Sequence, residues 1–272
     1  MPELPEVETT RRGIAPHILH HPITTVTIRH PQLRWPIDKS LSRTLPGCIL
    51  VRADRRGKYL LLAVDDGRTL IWHLGMSGSL RIVEPTEPPG KHDHIDLNFA
   101  HGRVLRYHDP RRFGAFLVTA DDPAQHALIR HLGPEPLSDD FDGEYLYERS
   151  RKRLTAVKSW IMDSRVVVGV GNIYANESLF LAKIHPLRAA GKLTRPACYR
   201  LADIIKAVLS RSITQGGTTL RDFVGGDGKP GYFAQQLNVY GRGGEPCPVC
   251  TKPLTEKTLS QRTTVYCTQC QR

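Results

Sequence analysis

From about Ile23 to Val118, apolar and polar residues alternate in short runs. Ile23-Thr24-Thr25-Val26-Thr27-Ile28 reads as a half-buried strand, Tyr59 to Val64 and Thr69 to Leu74 flank a turn at Asp65-Asp66-Gly67, and Asp96 to Phe99 and Val104 to Tyr107 flank His101-Gly102. Short strands at this spacing predict a β-sandwich between about Ile23 and Val118. A helix precedes it, with Pro5 in its first turn and a stop at Gly13. Beyond the stretch Pro134 to Asp140 the apolar period becomes helical. Leu201, Ile204, Ile205, Val208 and Leu209 form one stripe, with Thr194 as N-cap and Gly216-Gly217 as the stop, so that stripe is core. A basic helix from roughly Arg151 to Met162 and another from Ile173 to about Ala182 are expected on either side of Val166-Val167-Val168-Gly169-Val170-Gly171-Asn172. Pro134-Glu135-Pro136-Leu137-Ser138-Asp139-Asp140 has the composition of an interdomain hinge. The fold class is therefore α+β: an N-terminal β-sandwich with flanking helices over residues 1–133, a helical domain over 134–239 and a cysteine-rich segment over 240–272. No internal repeat is present.

Charge narrows the choice of partner. The 272 residues carry 38 Lys and Arg against 27 Asp and Glu, a net charge of +11, which calls for a polyanion, with nucleic acid first among the candidates. A basic membrane-surface protein is the competitor, but there is no apolar run of about 18 residues. Glu3, Glu6 and Glu8 stand where a secretory signal would need basic residues, so a cytoplasmic protein is expected.

The cysteines add a metal. Cys247-Pro248-Val249-Cys250 and Cys267-Thr268-Gln269-Cys270 give C-x2-C-x16-C-x2-C, the spacing of a closed tetrahedral site for one structural Zn2+ with a hairpin between its two knuckles. Cys48 and Cys198 stand apart and read as buried apolar-type residues. The glycines of Val168 to Asn172 let backbone N–H groups approach a phosphate, with Asn172 capping the following helix; a tight helix-helix connection is the other reading of that turn. Val224 to Phe233 is too glycine-rich for an element interior and reads as a functional or disordered loop.

The N-terminus adds chemistry. Removal of Met1 before Pro2 would leave a secondary α-amine, which titrates near ~8 against ~10.4 for lysine and is therefore far more nucleophilic at neutral pH. A helix N-terminus nearby lowers that value further, and Glu3 can give and take protons.

Taken together, Met1-Pro2-Glu3-Leu4-Pro5-Glu6-Val7-Glu8-Thr9, Gly57-Lys58-Tyr59, His73-Leu74-Gly75-Met76-Ser77-Gly78, Asp109-Pro110-Arg111-Arg112-Phe113-Gly114, Val168 to Tyr174 and the terminal ribbon make the chain resemble the formamidopyrimidine-DNA glycosylases over its whole length and in motif order. The endonuclease VIII branch shares the Pro-Glu start, the helix-turn-helix and the zinc finger, but Leu4-Pro5 and Asp109 to Phe113 look more like the oxidised-purine branch. The resemblance implies a helix-two-turn-helix in the helical domain and a bifunctional base-excision enzyme, a glycosylase and AP lyase acting on damaged double-stranded DNA as a monomer at the bacterial nucleoid. It implies Pro2 as Schiff-base nucleophile, Glu3 as general acid/base, Lys58 as a proton-transfer residue in β-elimination and Arg262 as a participant in δ-elimination. It also implies phosphate contacts from His92, Arg153, Lys158 and Asn172, filling of the vacated stack by Met76, Arg111 and Phe113, and lesion capping by the loop after Thr218-Thr219. An endonuclease VIII-like oxidised-pyrimidine glycosylase, a non-catalytic zinc-ribbon DNA-binding protein and an RNA-binding basic protein are the alternatives.

Overall fold

The computed structural model describes residues 2–217 and 237–272, which belong to two compact units. The first contains residues up to Arg130 together with 215–217. The second contains His131–Thr214 and 237–272.

The first unit opens with helix α1 (Leu4–Ile18). It runs past the stop expected at Gly13, because Ile14 and Ile18, both fully buried, continue the stripe begun by Leu4 and Val7. Burying an isoleucine contributes about 1.5–3 kcal/mol, more than the ~1 kcal/mol that a helical glycine costs. Pro16 lies in the last turn, where it removes a single ladder bond.

Eight strands follow: β1 (Ile23–Ile28), then after the short helix α2 (Leu41–Thr44), β2 (Leu50–Arg56), β3 (Tyr59–Val64), β4 (Thr69–His73), β5 (Ser79–Val83), β6 (Asp93–Phe99), β7 (Val104–His108) and β8 (Ala115–Thr119). They form two antiparallel sheets, ordered β1-β6-β7-β5 and β2-β3-β4-β8. One continuous core joins them, with Val26, Leu97, Leu105 and Tyr107 from the first sheet and Leu60, Leu62, Trp72 and Phe116 from the second. This is the sandwich that the alternation predicts. Strand β6 begins three residues before the expected Asp96, because its polar members are paired: Asp93 takes Arg81 and His108, and Asp96 takes Arg29 and Arg106. Ion pairing lets a polar stretch enter a buried sheet.

Polar bonds fix α1 on β2. Arg11 donates to the Ala53 carbonyl at 3.0 Å, and Glu8 on α1 receives Arg11, Arg12 and Arg55. Burial alone would raise the Glu8 carboxyl, but hydrogen bonds from Arg11 and Arg12 and the charges of Arg11 and Arg55 outweigh it and bring the pKa down to about 2. A depressed folded-state pKa gives stability that is present above the ordinary glutamate value and is lost as pH falls toward 2. Glu8→Gln is therefore expected to be less stable than the parent at pH 7, by on the order of 3 kcal/mol, and the gap should shrink to about half or less by pH 3 and close only below about pH 2. Urea unfolding of both proteins across that range checks it; a gap independent of pH would rule out the ion cluster as its source.

The second unit is helical, with α3 (Gly143–Ser150), α4 (Val157–Ile161), α5 (Asn172–Leu181) and α6 (Arg195–Thr214), plus a ribbon of β9 (Thr255–Leu259) and β10 (Arg262–Tyr266). Asp142 caps α3 through the Tyr145 N–H, and Thr194 accepts from the Ala197 N–H at the start of α6, as its sequence predicts. The basic helix expected from Arg151 to Met162 is only the five residues of α4. Residues 151–156 instead run alongside 189–191, with Gly191 N–H on the Arg153 carbonyl and Ala190 N–H on the Thr155 carbonyl, and Lys152 is left-handed at φ 61°. The ribbon, expected as a third domain, shares a small core with the helices through Phe180, Val239, Leu254 and Val265.

Candidate functional site

In the first unit the candidate chemistry starts at the head of α1. Glu3 is the residue before the first helical turn and is 2 % exposed; its backbone N–H donates to Glu6 Oε2 at 2.9 Å. Pro2 is buried beside it. Gly217, left-handed at φ 82°, lies against Glu6, and a Cβ there would stand 3.3 Å from Glu6 Oε1. Lys58 sits in the β2–β3 turn, which left-handed Gly57 makes possible, and Arg55 donates to the Gly57 carbonyl at 3.0 Å.

Two loops carry Met76, Arg111 and Phe113, and Asp109 joins them. This fully buried carboxylate accepts from Ser77 Oγ at 2.9 Å, Tyr107 OH at 3.0 Å, and the backbone N–H groups of Gly114 at 2.9 Å and Arg111 at 3.3 Å. Its carbonyl meets His94 Nε2 at 2.8 Å, and its N–H donates to the His92 carbonyl. His92 is thus placed at the base of the same loop. The backbones approach closely enough to require glycine: a Cβ on Gly75 would lie 2.5 Å from Gly114 N, and one on Gly114 would lie 1.8 Å from Tyr107 OH. Held this way, Phe113 is 45 % exposed with the Arg111 guanidinium over its ring at 4.8 Å, and Met76 is half-buried. An aromatic left this exposed on a loop so firmly anchored is not part of the core.

His73, at the end of β4, lies in the same region. Burial, followed by the positive charges of Lys58 and Arg34, lowers its pKa to about 4 against the opposing pull of Asp109. The ring is neutral at pH 7, and its Nδ1 accepts from the Gly75 N–H at 3.0 Å. Burial thus does most to keep the imidazole uncharged, and Lys58 and Arg34 add a positive field around it.

In the second unit the phosphate-facing candidates surround α5. Gly171, rather than Asn172, is the N-cap; Asn172 is the first helical residue, so its backbone N–H is among those a helix leaves without an intrahelical partner. Asn176, one turn on, donates to the Asn172 carbonyl at 2.7 Å and accepts from the Val265 N–H at 2.9 Å. Glu177 accepts from the N–H groups of Asn238, Val239 and Tyr240 and from the Asn238 amide. These two buried side chains anchor α5 to the ribbon and to the segment leading into it.

Lys158, which the resemblance makes a phosphate contact, is 1 % exposed, and its ammonium donates to the Thr263 carbonyl at 2.8 Å and Thr264 Oγ1 at 2.7 Å, so it ties α4 to β10 from inside. Arg153 is exposed on the non-helical stretch before α4. Arg262 is exposed at the start of β10, next to the left-handed Ser260-Gln261 turn and directly before the residue whose carbonyl Lys158 holds. The expected lesion-capping loop, Val224 to Phe233 with Thr218-Thr219, lies outside the described residues.

The four cysteines converge. Their sulfurs all lie within 4.8 Å of one another, with Cys247 to Cys270 at 3.9 Å and Cys250 to Cys267 at 3.4 Å. Sulfurs bound to a tetrahedral zinc at about 2.3 Å stand about 3.8 Å apart, so the set fits that ion. Knuckle N–H groups point at the sulfurs, Val249 to Cys247 and Cys270 to Cys267. All four positions are taken by protein, which makes the zinc structural.

The sequence alone assigns no role to Asp109, Asn176 or Glu177. Asp109 carried a signal, since an Asp-Pro pair marks a turn whose carboxylate bonds its own backbone. Asn176 and Glu177 carried none, because their partners lie far along the chain.

Comparison with known proteins gives one consistent result. The family model for the formamidopyrimidine-DNA glycosylase N-terminal domain matches residues 1–116, that for the formamidopyrimidine-DNA glycosylase H2TH domain matches 132–224, and that for the zinc finger found in FPG and IleRS matches 244–272. The chain is 93 % identical to a formamidopyrimidine-DNA glycosylase of Teredinibacter turnerae and 57 % identical to one of Escherichia coli, each comparison covering 100 % of both proteins. Its fold is similar to a Lactococcus lactis FPG variant solved with Fapy-dG-containing DNA, at TM-score 0.93 and 34 % identity over 100 % of both chains. It is also similar to MutM (FPG) from Thermus thermophilus, at TM-score 0.89 and 37 % identity over 99 % of this chain and 98 % of that one.

Proposed function

Because this chain belongs to the formamidopyrimidine-DNA glycosylase family, we propose that it excises oxidised purines with Pro2 as the nucleophile and then cuts the strand at the resulting site. It is a base excision repair enzyme, a DNA glycosylase and AP lyase, its partner is DNA, and it carries one structural zinc. The observation that carries the finer reading is the head of α1, where Pro2 and a buried Glu3 stand together at a helix N-terminus.

An oxidised base cannot be reached within a duplex, so it must be extruded at a cost of a few kcal/mol, which contacts elsewhere offset. Met76, Arg111 and Phe113, set by Asp109, fill the space it leaves, while His92, Arg153 and Asn172 hold phosphates. The Pro2 nitrogen attacks C1′ of the deoxyribose as Glu3 delivers a proton toward the ring oxygen or the leaving base. A secondary amine gives an iminium with no N–H proton to lose. That permanent cation acidifies the neighbouring sugar C–H, and elimination follows at C3′ and then at C5′. Lys58 transfers protons in the first elimination, and Arg262 engages phosphate in the second. The enzyme is read as a monomer acting on DNA in the bacterial cytoplasm; among the described residues no helix is long and apolar enough to cross a membrane.

Borohydride reduction in the presence of a lesion-containing duplex tests this reading. A covalent protein–DNA species that forms with the oxidised purine and not with undamaged DNA supports it; absence of any adduct during active strand cleavage would overturn it, and faster turnover of oxidised pyrimidines would move the chain to the endonuclease VIII pattern.

Arg111 sets the partner-base preference. A guanidinium in the vacated space donates to cytosine acceptors, whereas opposite adenine it meets an amino group and leaves buried donors unsatisfied, at ~1–3 kcal/mol. Lesions opposite cytosine are thus expected to be excised roughly 10-fold to 100-fold faster in single turnovers. Arg111→Ala should flatten that ratio; an unchanged ratio would assign the reading to another residue.

A further inference from the structure

A cleft of about 350 Å3 in the helical unit shares Arg153 with the phosphate contacts named above, but its other lining residues have no part in them. Trp160, 5 % exposed, forms its floor, and Arg149, Arg165 and the hydroxyl-bearing Thr155 and Ser159 complete its walls. The one carboxylate in the lining, Asp163, is already engaged: Arg165 donates to it through Nε at 3.1 Å and through its terminal nitrogen at 2.8 Å, leaving a surplus of positive charge. Arg149 is held in advance of any ligand. Its guanidinium donates to the Arg165 carbonyl at 3.1 Å and stands 5.8 Å from the centre of the Tyr145 ring, whose hydroxyl donates to the Val166 carbonyl. Side chains fixed in this way lose little entropy on binding. Cationic walls, neutral hydroxyl donors and an apolar floor suit an anion attached to an apolar body, and the volume holds a phosphate together with its sugar.

We propose that this cleft is an additional phosphodiester-binding site, in which Arg149 and Arg165 take a backbone phosphate of the bound DNA; the choice of DNA as its ligand rests on the function proposed above. None of its lining residues belongs to the Val168–Asn172 turn, so it adds a contact to that one.

The salt dependence of Kd for a lesion duplex tests the site, measured on the zinc-loaded full chain with Arg149→Ala, Arg165→Ala, Arg149→Lys and, as a control of equal charge, Arg211→Ala on the exposed side of α6. Each of the first two variants should weaken binding about 5-fold to 10-fold near 0.1 M salt and lower the slope of log Kd against log salt by about 0.9, the value for one phosphate contact. Arg149→Lys should keep most of the slope, Arg211→Ala should keep all of it, and every variant should excise at the parental rate with saturating DNA. Unchanged slopes in both alanine variants would overturn the proposal. So would an equal fall in Arg211→Ala, which would mean diffuse charge alone. A saturable calorimetric signal for dTMP that disappears in Arg149→Ala while the DNA slope stays parental would make the cleft a mononucleotide site and reject the backbone contact. Loss of excision by the parent protein itself would instead count against the enzymatic reading, so the two failures are distinguishable.

Discussion

Protein that keeps Met1, or whose Pro2 nitrogen is acetylated, is expected to bind a lesion-containing duplex normally and to lose both base release and borohydride trapping completely. The reason is stoichiometric, because the nitrogen lone pair that must attack C1′ is then tied up in an amide: the acetylated protein has no α-amine left, and a retained Met1 carries its primary amine one residue away from the Pro2 position. Glu3→Gln separates the nucleophile from the proton donor. The amide preserves the shape and the Glu3 backbone N–H bond to Glu6, so the fold at the head of α1 should survive, but a group that cannot transfer a proton should lose about 10²-fold to 10⁴-fold in excision. Strand cleavage at a preformed abasic site should suffer less than excision, since no base has to leave. Undiminished trapping by the Met1-retaining protein would exclude Pro2; normal single-turnover excision by Glu3→Gln would exclude Glu3.

The second large effect is expected at the ribbon. Zinc held by thiolates contributes about 10–16 kcal/mol in small zinc domains, comparable to the whole stability of an average domain at about 5–15 kcal/mol. Cys267→Ser, or chelation of the metal, should therefore release β9 and β10 together. The Lys158 ammonium would then lose the Thr263 and Thr264 acceptors, and Asn176 would lose the Val265 N–H. A buried ammonium stripped of its acceptors is costly, so damage should spread from the ribbon into α4 and α5 and reach the Asn172 amide. DNA affinity is expected to fall at least about 100-fold, given that several phosphate contacts go at once. Cobalt or cadmium in the same thiolate set should restore binding and leave the single-turnover rate at its zinc value. Metal-free protein, verified by elemental analysis, that binds duplex with unchanged Kd would contradict this.

How much of this was legible in advance depends on how far each residue's partners lie along the chain. The alternation of Ile23 to Ile28 and Tyr59 to Val64 and the cysteine spacing depend on neighbours, and the sandwich and the zinc set appear in the structure as read. Helix α1 was read short because Gly13 is a local signal, whereas the burial of Ile14 and Ile18 is a tertiary one. The stretch from Arg151 to Met162 looked helical by composition, but the backbone of residues 153 and 155 finds its partners at 190 and 191. Lys158 shows the limit most plainly. A lysine in a basic run reads as a surface charge, and only contact with Thr263 and Thr264, more than a hundred positions later, shows it to be internal. Asp109 lies between these extremes, with its turn visible in Asp-Pro and its bond to Ser77 not.

The way α5 grips the ribbon also bears on transplantation. A segment recognisable on its own, as residues 244–272 are, invites use as a portable cassette to be fused to another scaffold. Here the cassette's inner face is completed by side chains it does not own: Lys158 on the Thr263 carbonyl, Asn176 on the Val265 N–H, and Phe180 in its small core. Cut at its recognisable borders, it would carry open backbone acceptors and an uncovered apolar face into its new host. A chimera meant to keep the ribbon's shape has to take α4 and α5 with it, so the unit of exchange in this protein is larger than the unit of recognition.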